Sequence, residues 1–232
     1  MQRNILITGT DQGLGKILVK TFLVRGYQVF AGSFKESSRY GDSRHIGGEN
    51  LEVLPLDVSS AASVETALRT IKQRTDSLDI VINNAGINHA NHNRPLEEID
   101  IEEIPEIFQV NSLGPLRIVG AFLPLLRNGQ SKLIINISSE DVRVEDCDHK
   151  DRIGYYMSKT ALNIQSRILQ NQLAEDGIKV LAINPGWMQT AMGGTGAQVP
   201  PVESARGIYD LSQETWGMDD PVFMEYTGRQ AD

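Results

Sequence analysis

Short apolar runs alternate with longer helix-type segments along most of the chain, and this alternation limits the fold more than any other feature. Several runs are apolar throughout, as expected of strands that are covered on both faces. Strands that alternate with helices are typical of βαβ units around a parallel sheet. The predicted strands are "NILIT" from residue 4, "QVFAG" from 28, "LEVLPL" from 51, "DIVIN" from 79, "KLIINI" from 132, "KVLAINP" from 179 and "VFMEY" from 222.

Helix-type patterns separate these strands, at about 14–25, 60–75, 101–127, 156–176 and 201–214. We therefore predict an α/β fold, doubly wound, with a mainly parallel seven-stranded sheet and helices on both faces. No Pro/Gly/Ser-rich linker divides the 232 residues, so we expect one domain over 1–232. The charged, glycine-containing stretch at 34–49 predicts at most a short helix and a surface loop.

Charge and cysteine content limit the partners and the compartment. Lys and Arg number 22 against 30 Asp and Glu, so the net charge is -8. This charge disfavours a nucleic-acid or anionic-membrane partner, because phosphates are bound by clustered basic groups. Cys147 is the only cysteine, which excludes an intrachain disulfide and favours a reducing compartment. With no secretory leader and no apolar stretch of the ~18 residues that a spanning helix needs, we expect a cytoplasmic protein.

A glycine-rich turn, "TGTDQGLG" from Thr8 to Gly15, follows the first predicted strand and precedes a helix. Gly9, Gly13 and Gly15 permit a tight turn, a close approach of the backbone to a pyrophosphate, and packing of helix on strand. The phosphates would face the helix N-terminus, whose free N–H groups supply positive potential. Glycine turns also occur where nothing binds, but strand, turn and helix in this order favour a dinucleotide site.

Seven motifs follow one another in a recognisable order. They are the glycine turn, Asp57 after "LPL", "NNAG" at 83–86, Asn111 in "VNSLGP", the paired serines of "INISS", "YYMSK" at 155–159 and "NPGWMQT" at 184–190. With these motifs the chain resembles the short-chain dehydrogenase/reductase family. The stretches "VFMEYTGRQ" and "PGWMQTAMGG" further resemble the branch of carbonyl reductases and developmental signal factors. The resemblance implies a Rossmann fold and reversible, NAD(P)-dependent reduction of a carbonyl to an alcohol.

The resemblance also implies which residues bind the cofactor. Asp57 would contact the adenine ring with Val58 packed beside it, although Asp57 could instead, or in addition, cap the helix near residue 60. The implied set is Gly9, Asp11, Gln12, Gly13, Leu14, Gly15, Ser33, Lys35, Asp57, Val58, Asn84, Ala85, Gly86, Tyr155, Lys159, Pro185, Gly186, Trp187, Met188 and Thr190.

Two further segments take their roles from the family. Asn83, at the end of the fourth strand, would steady the sheet beneath the cofactor. The alternative is that Asn83, Ala85 and Gly86 serve only a close approach of the backbone. The segment 185–190 would lie along the nicotinamide, with Thr190 contacting its amide.

The choice between NADP and NAD depends on the end of the second strand, where an acidic residue would bind the ribose 2′-hydroxyl and repel a 2′-phosphate. The family's acidic position falls on Ser33, which lacks that charge. Lys35 could pair with a phosphate or be a solvated surface lysine. Gln12 stands where NADP-dependent relatives often carry a basic residue, and Asp11 adds a negative charge. We predict NADP, with NAD as the alternative.

Tyr155 and Tyr156 both precede Lys159 by about one helical turn. Residues three or four apart share a helix face, so spacing alone lets the lysine act on either phenol. A nearby ammonium favours the phenolate and brings the pKa of a tyrosine toward the working range. The family pattern Y-x-x-x-K implies Tyr155 as the acid/base and Lys159 as its activator and ribose ligand. Tyr156 is then expected to pack against the sheet or a neighbouring subunit.

Ser139, the second serine of "INISS", corresponds to the family's hydrogen-bond donor to the substrate oxygen. Ser138 is expected to complete the strand end. The separation between Ser139 and Tyr155 is about three residues longer than is usual in the family, which leaves the geometry of this loop open.

Asn111 lies in a helix-type segment, where asparagine is unfavourable. The resemblance implies that Asn111 holds a water that links the lysine to solvent; the alternative is a helix irregularity near Gly114 and Pro115. The implied catalytic set is thus Asn111, Ser139, Tyr155 and Lys159. No metal is expected, because the histidines show no ligand spacing. They are His45, His89, His92 and His149.

Several expectations concern partners. The substrate is a small carbonyl or alcohol, and acidic residues in the loop 140–153, a candidate wall of the site, favour a polar or cationic one. The family implies a homodimer or homotetramer through the helices at 101–127 and 156–176, although some carbonyl reductases are monomers. Trp187 and the segment from Met192 to Gly196, whose glycines permit hinge motion, form either a mobile flap over the site or a rigid turn. The alternative functions are a non-catalytic dinucleotide-binding sensor or signalling protein, and an epimerase or dehydratase on the same scaffold.

Overall fold

A computed structural model of the chain describes residues 2–34, 48–89, 95–139, 147, 149–194 and 196–230. The strands of this part are β1 Asn4–Thr8, β2 Gln28–Ser33, β3 Leu51–Pro55, β4 Ile80–Asn83, β5 Leu133–Ile137, β6 Lys179–Asn184 and β7 Phe223–Glu225. They form one seven-stranded sheet in the order β3-β2-β1-β4-β5-β6-β7, and all neighbours are parallel. The predicted fold class is confirmed.

Helices connect the strands on both faces of the sheet. They are α1 Gly13–Leu23, α2 Ala61–Lys72, α3 Ile104–Asn111, α4 Leu113–Asn128, α5 Ile153–Leu173 and α6 Pro201–Gln213, with short 3-10 turns at Gly48–Asn50, Leu96–Glu98 and Ile101–Glu103. Within the described ranges, no helix has both the length and the apolar character needed to cross a bilayer.

Successive residues of each strand pack on opposite faces of the sheet. In β1, Ile5 and Ile7 pack on the face that carries α1 and α6. Leu6 packs on the other face, which carries α2, α4 and α5. All three side chains are fully buried. Because helices cover both faces, the strands form continuous apolar runs instead of alternating ones.

The strand order reverses between β1 and β4, which are neighbours in the sheet but far apart in the sequence. The chain builds outward from β1 through β2 and β3, then returns to β4 and builds the other half. In doubly wound sheets, ligands bind in the crevice outside the carboxyl ends of the strands at such a reversal. The glycine turn that follows β1 and the Asn84–Gly86 loop that follows β4 both lie at this crevice.

The helix predicted at 101–127 is interrupted at Ser112, so the expectation of one helix was wrong. Ser112 has φ -116° and ψ -55°. Pro115 has no N–H to donate to the carbonyl of Asn111, four residues earlier. At the break, Ser112 Oγ donates to the carbonyl of Ser158 on α5 at 2.8 Å. The break places Asn111 at the end of α3, facing α5.

Candidate active site

A cleft of about 1110 Å³ opens where the strand order reverses. Its volume is at the upper end of ligand-binding pockets, as a dinucleotide requires. The predicted residues that line it are Gly9, Asp11, Gln12, Gly13, Leu14, Gly15, Asp57, Val58, Asn84, Ala85, Gly86, Tyr155, Lys159, Pro185, Met188 and Thr190. The predicted residues that the structure describes outside this lining are Ser33, Asn111, Ser139, Gly186 and Trp187. Lys35 lies outside the described residues.

The glycine turn fits closely against the loop that follows β4. A Cβ atom on Gly15 would lie 2.2 Å from the carbonyl oxygen of Gly9 and 2.5 Å from Nδ2 of Asn84. Asn84 Nδ2 donates to the carbonyl oxygens of Thr8 and Gly9, both at 2.9 Å. Gly9 and Gly13 have φ of +66° and +55°, which glycine adopts without strain. The turn therefore presents bare backbone and the N-terminus of α1 to the cleft, an arrangement that fits a pyrophosphate.

The carboxylate of Asp11 lies at the end of β2. Ser33 Oγ donates to Asp11 Oδ1 at 2.5 Å, and the backbone N–H of Phe34 donates to Asp11 Oδ2 at 3.0 Å. Thr10 ties the same turn to β2, because its N–H and its Oγ both donate to the carbonyl of Gly32 at 3.0 Å. The family's acidic position falls on the neutral Ser33. The carboxylate of Asp11, from the glycine turn, lies beside this position.

Asp57 does not cap the helix that follows it, so that alternative was wrong. The N-cap of α2 is Ser60, whose Oγ accepts the N–H of Ser63 at 3.3 Å. Asp57 Oδ1 instead accepts from the N–H and the Oγ of Ser59, at 2.8 and 2.7 Å. The local turn holds Asp57 in the lining of the cleft.

Lys159 is buried on α5, directly beside the cleft. Its Nζ donates to the carbonyl of Ile137, the last residue of β5, at 2.7 Å. The same atom lies 5.8 Å from the centroid of the Tyr155 ring. Burial lowers the pKa of Lys159 to about 8, because loss of hydration disfavours the ammonium. The predicted pair of phenol and ammonium is therefore brought together at the cleft.

Asn111 is fully buried and joins three parts of the site. Its Oδ1 accepts the N–H of Ile87 at 2.8 Å, and its Nδ2 donates to the carbonyl of Ile87 at 2.9 Å. Nδ2 also donates to Ser158 Oγ at 3.0 Å, and this hydroxyl donates to the carbonyl of Tyr155 at 2.6 Å. The side chain of Asn111 thus fixes the loop after β4 and the first turns of α5 relative to each other.

The two serines after β5 differ in their surroundings. Ser138 is buried, and its N–H donates to the carbonyl of Ile183 at 2.8 Å, which continues the pairing of β5 with β6. Its Oγ donates to Asn163 Oδ1 at 2.5 Å. Ser139 is partly exposed. The hydroxyl of Ser138 is therefore engaged with α5.

The segment after β6 folds back on itself. Trp187 Nε1 donates to the carbonyl of Gly193 at 2.8 Å, and a Cβ atom on Gly196 would lie 2.7 Å from the Trp187 ring. These contacts favour the rigid turn over the mobile flap. A Cβ atom on Gly13 would lie 3.6 Å from Cγ2 of Thr190, so the segment closes against the glycine turn.

Tyr156 stacks on His149, with the ring centroids 4.0 Å apart and the planes 15° apart. It also meets Tyr155 edge-on at 5.5 Å. These ring contacts lie on the loop that precedes α5 and on α5 itself, whereas the sequence predicted packing against the sheet or a partner subunit. Residues 140–146 and 148 of that loop, the candidate wall of the site, lie outside the described residues.

Sequence reasoning missed several lining residues, among them two lysines and an exposed phenylalanine. Lys16 and Lys20 lie on the first turns of α1, and Phe34 follows β2 with 69% of its surface exposed. The lysines supply positive charge to the cleft of an acidic chain. Their signal was available, because Lys16 directly follows the last glycine of the turn and Lys20 lies one helical turn further along the same face.

Comparisons with known proteins identify the family. The family model described as short chain dehydrogenase matches residues 3–198. The chain therefore belongs to the short-chain dehydrogenase family, and it is an NAD(P)-dependent oxidoreductase. The C-signal protein of Myxococcus xanthus is 34% identical over 156 residues, which are 67% of this chain and 93% of that protein. Estradiol 17-beta-dehydrogenase 2 of Mus musculus is 32% identical over 230 residues, which are 94% of this chain and 57% of the enzyme.

Two solved structures share almost the whole fold. An NADPH-bound carbonyl reductase from chicken fatty liver has a TM-score of 0.87 at 28% identity, covering 99% of this chain and 98% of that chain. Carbonyl reductase Sniffer of D. melanogaster has a TM-score of 0.88 at 24% identity, covering 99% of both chains. At that lower identity, the second likeness concerns the fold alone.

Proposed function

We propose that this protein reduces a carbonyl to an alcohol reversibly with NADP(H), and that Tyr155 transfers the proton. One observation carries the proposal: the buried Nζ of Lys159 lies 5.8 Å from the Tyr155 ring in the cleft that the glycine turn lines. A non-catalytic sensor would bind the same cofactor and could use the ammonium for its ribose, but it would have no need of a phenol beside that ammonium. Burial of an ammonium costs folding free energy, and a protein ordinarily keeps such a cost where it serves a function.

The residues at the cleft fit the cofactor. The N-terminus of α1 would hold the pyrophosphate, Asp57 and Val58 would flank the adenine, and Lys159 would bind the nicotinamide ribose. When bound, NADP(H) supplies or accepts the hydride. NADP is favoured over NAD because the chicken carbonyl reductase, 28% identical over nearly the whole chain, binds NADPH, and because Lys16 and Lys20 add positive charge to the lining.

Tyr155 performs the proton transfer in this mechanism. In the reductive direction its phenol donates a proton to the substrate oxygen, and in the oxidative direction the phenolate takes the proton back. With its pKa lowered to about 8, Lys159 is mostly an ammonium at neutral pH, and its charge stabilises the phenolate. Ser139 donates a hydrogen bond to the substrate oxygen and stabilises the charge that develops there.

Asn111 supports this transfer through the backbone. Pro115 has no N–H, so the carbonyl of Asn111 lacks its usual helical donor. In this mechanism the carbonyl oxygen accepts instead from a water that exchanges protons with Lys159. Its side chain holds Ser158, which in turn holds the carbonyl of Tyr155.

Turnover of a panel of ketones and aldehydes with NADPH and with NADH tests the proposal. Tyr155→Phe removes only the phenolic oxygen, and we expect a loss of kcat of at least about 100-fold, the usual contribution of a general acid. The Kd for NADPH should stay within about twofold, since the ring is retained. Equal turnover by wild type and Tyr155→Phe would refute the mechanism.

Tyr156→Phe is the matched control, because it makes the same chemical change at the next residue. The Tyr156 ring stacks on His149, and this contact survives loss of the hydroxyl. We expect turnover close to that of wild type. If Tyr156→Phe is inactive and Tyr155→Phe is active, the assignment of the acid/base is reversed.

The proposed function is accompanied by four proposals on domain organisation, substrate, compartment and assembly. We propose that residues 1–232 form one domain, that the substrate is a small polar or cationic carbonyl or alcohol, and that the protein works in the cytoplasm. We also propose that it forms homodimers or homotetramers through α4 and α5. The apolar side chains exposed on these helices support this assembly: Leu116, Met157, Ile164 and Ile168.

A further inference from the structure

A residue of the glycine turn places a negative charge at the end of β2. Asp11 lies 22 residues before Ser33 in the chain, yet its carboxylate accepts hydrogen bonds from Ser33 Oγ at 2.5 Å and from the Phe34 N–H at 3.0 Å. Both oxygens of the carboxylate are therefore anchored at the strand end. Asp11 also lines the cofactor cleft, as does Phe34.

In this fold the end of the second strand lies beside the adenosine ribose, where a carboxylate hydrogen-bonds the 2′-hydroxyl of NAD. That carboxylate ordinarily belongs to the strand itself. Here the strand ends in the neutral Ser33, while Asp11 places its charge at the same point in space. We infer that Asp11 is the residue that sets the relative affinity for the two cofactors, by opposing a 2′-phosphate and accepting from a 2′-hydroxyl. This inference rests on the cofactor site of the proposed function.

Charges of opposite sign then act on this balance. The 2′-phosphate of NADP(H) is attracted by the lysines of α1, Lys16 and Lys20, and is repelled by the carboxylate of Asp11. Charges a few ångströms apart at a protein surface interact strongly enough to change binding several-fold. Removal of the Asp11 carboxylate removes its repulsion of the 2′-phosphate, so NADPH binding becomes stronger. NADH has no phosphate at this position, and its 2′-hydroxyl exchanges a charged hydrogen-bond acceptor for a neutral one.

The test measures the Kd of NADPH and of NADH by equilibrium titration, with wild type and Asp11→Asn. We expect the Kd of NADPH to fall about tenfold, equivalent to about 1.4 kcal/mol, in the variant. The Kd of NADH should stay unchanged or rise. A change of the two constants by the same factor, or a fall for NADH alone, would overturn the inference.

A second neutral variant guards against misfolding of the first. Asp11→Ser also removes the charge but keeps a hydroxyl that can bond to the strand end, so we expect the same shift in the ratio of the two constants. Glu65→Gln, an exposed residue of α2, is the control for the change in net charge and should leave the ratio at the wild-type value. A tenfold shift in this control would overturn the assignment to Asp11.

The titration also distinguishes this inference from the proposed function. If wild type binds both cofactors and the ratio does not respond to Asp11, only the inference fails. If wild type binds neither cofactor, the proposed function fails and the inference fails with it. Turnover is not needed for either result.

Discussion

Lys159 and Tyr155 lie one helical turn apart on α5, and Nζ of the lysine is 5.8 Å from the centroid of the tyrosine ring. The ammonium is buried, and among its described contacts is the carbonyl of Ile137 at 2.7 Å. A buried ammonium favours the phenolate strongly, because little water screens it. The same burial is a cost to the folded state, so this pair links catalysis to stability.

Lys159→Met should stabilise the protein without cofactor at neutral pH. Burial lowers the pKa of Lys159 to about 8 from its ordinary value of 10.5. Below pH 8 the lysine is charged in both states, and the folded state bears the whole desolvation cost. As the pH rises from 8 to 10.5, the folded state loses the proton first, and wild type gains stability. The difference between these two pKa values is equivalent to about 3 kcal/mol at pH 7, and loss of the bond to the carbonyl of Ile137 costs the variant about 1 kcal/mol. We therefore expect a net advantage of about 2 kcal/mol for the variant at pH 7, which shrinks toward pH 10.5.

Urea unfolding at pH 7 and pH 10 measures this difference, with Lys72→Met as the control. Lys72 is exposed at the end of α2, and its replacement should change the free energy of unfolding by less than about 0.5 kcal/mol at both pH values. A Lys159→Met protein that is less stable than wild type by the same amount at both pH values would contradict the prediction.

The strands could be predicted from the sequence, because helices cover both faces of the sheet and most strands are apolar runs. Helical spacing was enough to predict that Lys159 lies close to a tyrosine, but the choice of Tyr155 over Tyr156 came from the family pattern. The break after Asn111 was foreseen only as the alternative of an irregularity near Gly114 and Pro115, because the apolar pattern of the helix continues across it. Pro115 was the available signal, and bonds from Asn111 to Ile87 and Ser158 complete the interruption.

Contacts between distant segments were out of reach of local reasoning. Asp11 and Ser33 are 22 residues apart, and only the pairing of β1 with β2 brings the turn to the strand end. The cap of α2 was ambiguous for a different reason. Asp57 and Ser60 are both side chains that cap helices, and the choice between them depends on backbone geometry that the sequence does not reveal.

Gly15→Ala should disrupt the glycine turn. The added Cβ atom would lie 2.2 Å from the carbonyl oxygen of Gly9, which is backbone and is itself bonded to Asn84. We expect a loss of about 1–3 kcal/mol in the free energy of unfolding and a Kd for NADPH at least tenfold higher. Chemical unfolding and cofactor titration measure the two effects.

Gly120→Ala is the matched control for this change. Gly120 lies within α4, is exposed, and has no atom within 4 Å of its would-be Cβ. Alanine is the better helix former, so we expect this variant to be more stable by about 0.5–1 kcal/mol and to bind NADPH as wild type does. Equal effects at the two positions would contradict the role of the turn.

Asn111→Ala should weaken both the fold and catalysis. The variant removes the amide that bonds to both the N–H and the carbonyl of Ile87. It also removes the hydrogen bond from Asn111 Nδ2 to the hydroxyl of Ser158. Unpaired buried polar groups predict a loss of about 2–4 kcal/mol in the free energy of unfolding. Because Ser158 holds the carbonyl of Tyr155, kcat should fall more than the Kd of NADPH rises.

The control for Asn111 is Asn128→Ala at the exposed end of α4. Asn128 Nδ2 donates to the carbonyl of Asp76, and water can replace this bond. We expect a loss below about 1 kcal/mol and unchanged kcat. An Asn111→Ala protein that matches this control in both stability and kcat would refute the positioning role.

Ile164→Glu combined with Ile168→Glu should convert an oligomer into monomers. The two side chains are 63% and 51% exposed, and with Met157 they form an apolar row along α5. A carboxylate on that row costs a dimer the desolvation of a charge without a partner, but costs a monomer almost nothing. Light scattering after size exclusion should give a multiple of 25.6 kDa for wild type and 25.6 kDa for the variant.

Val202→Glu is the control, because Val202 is 63% exposed on α6, and this variant should keep the wild-type mass. A monomeric wild type would refute the assembly.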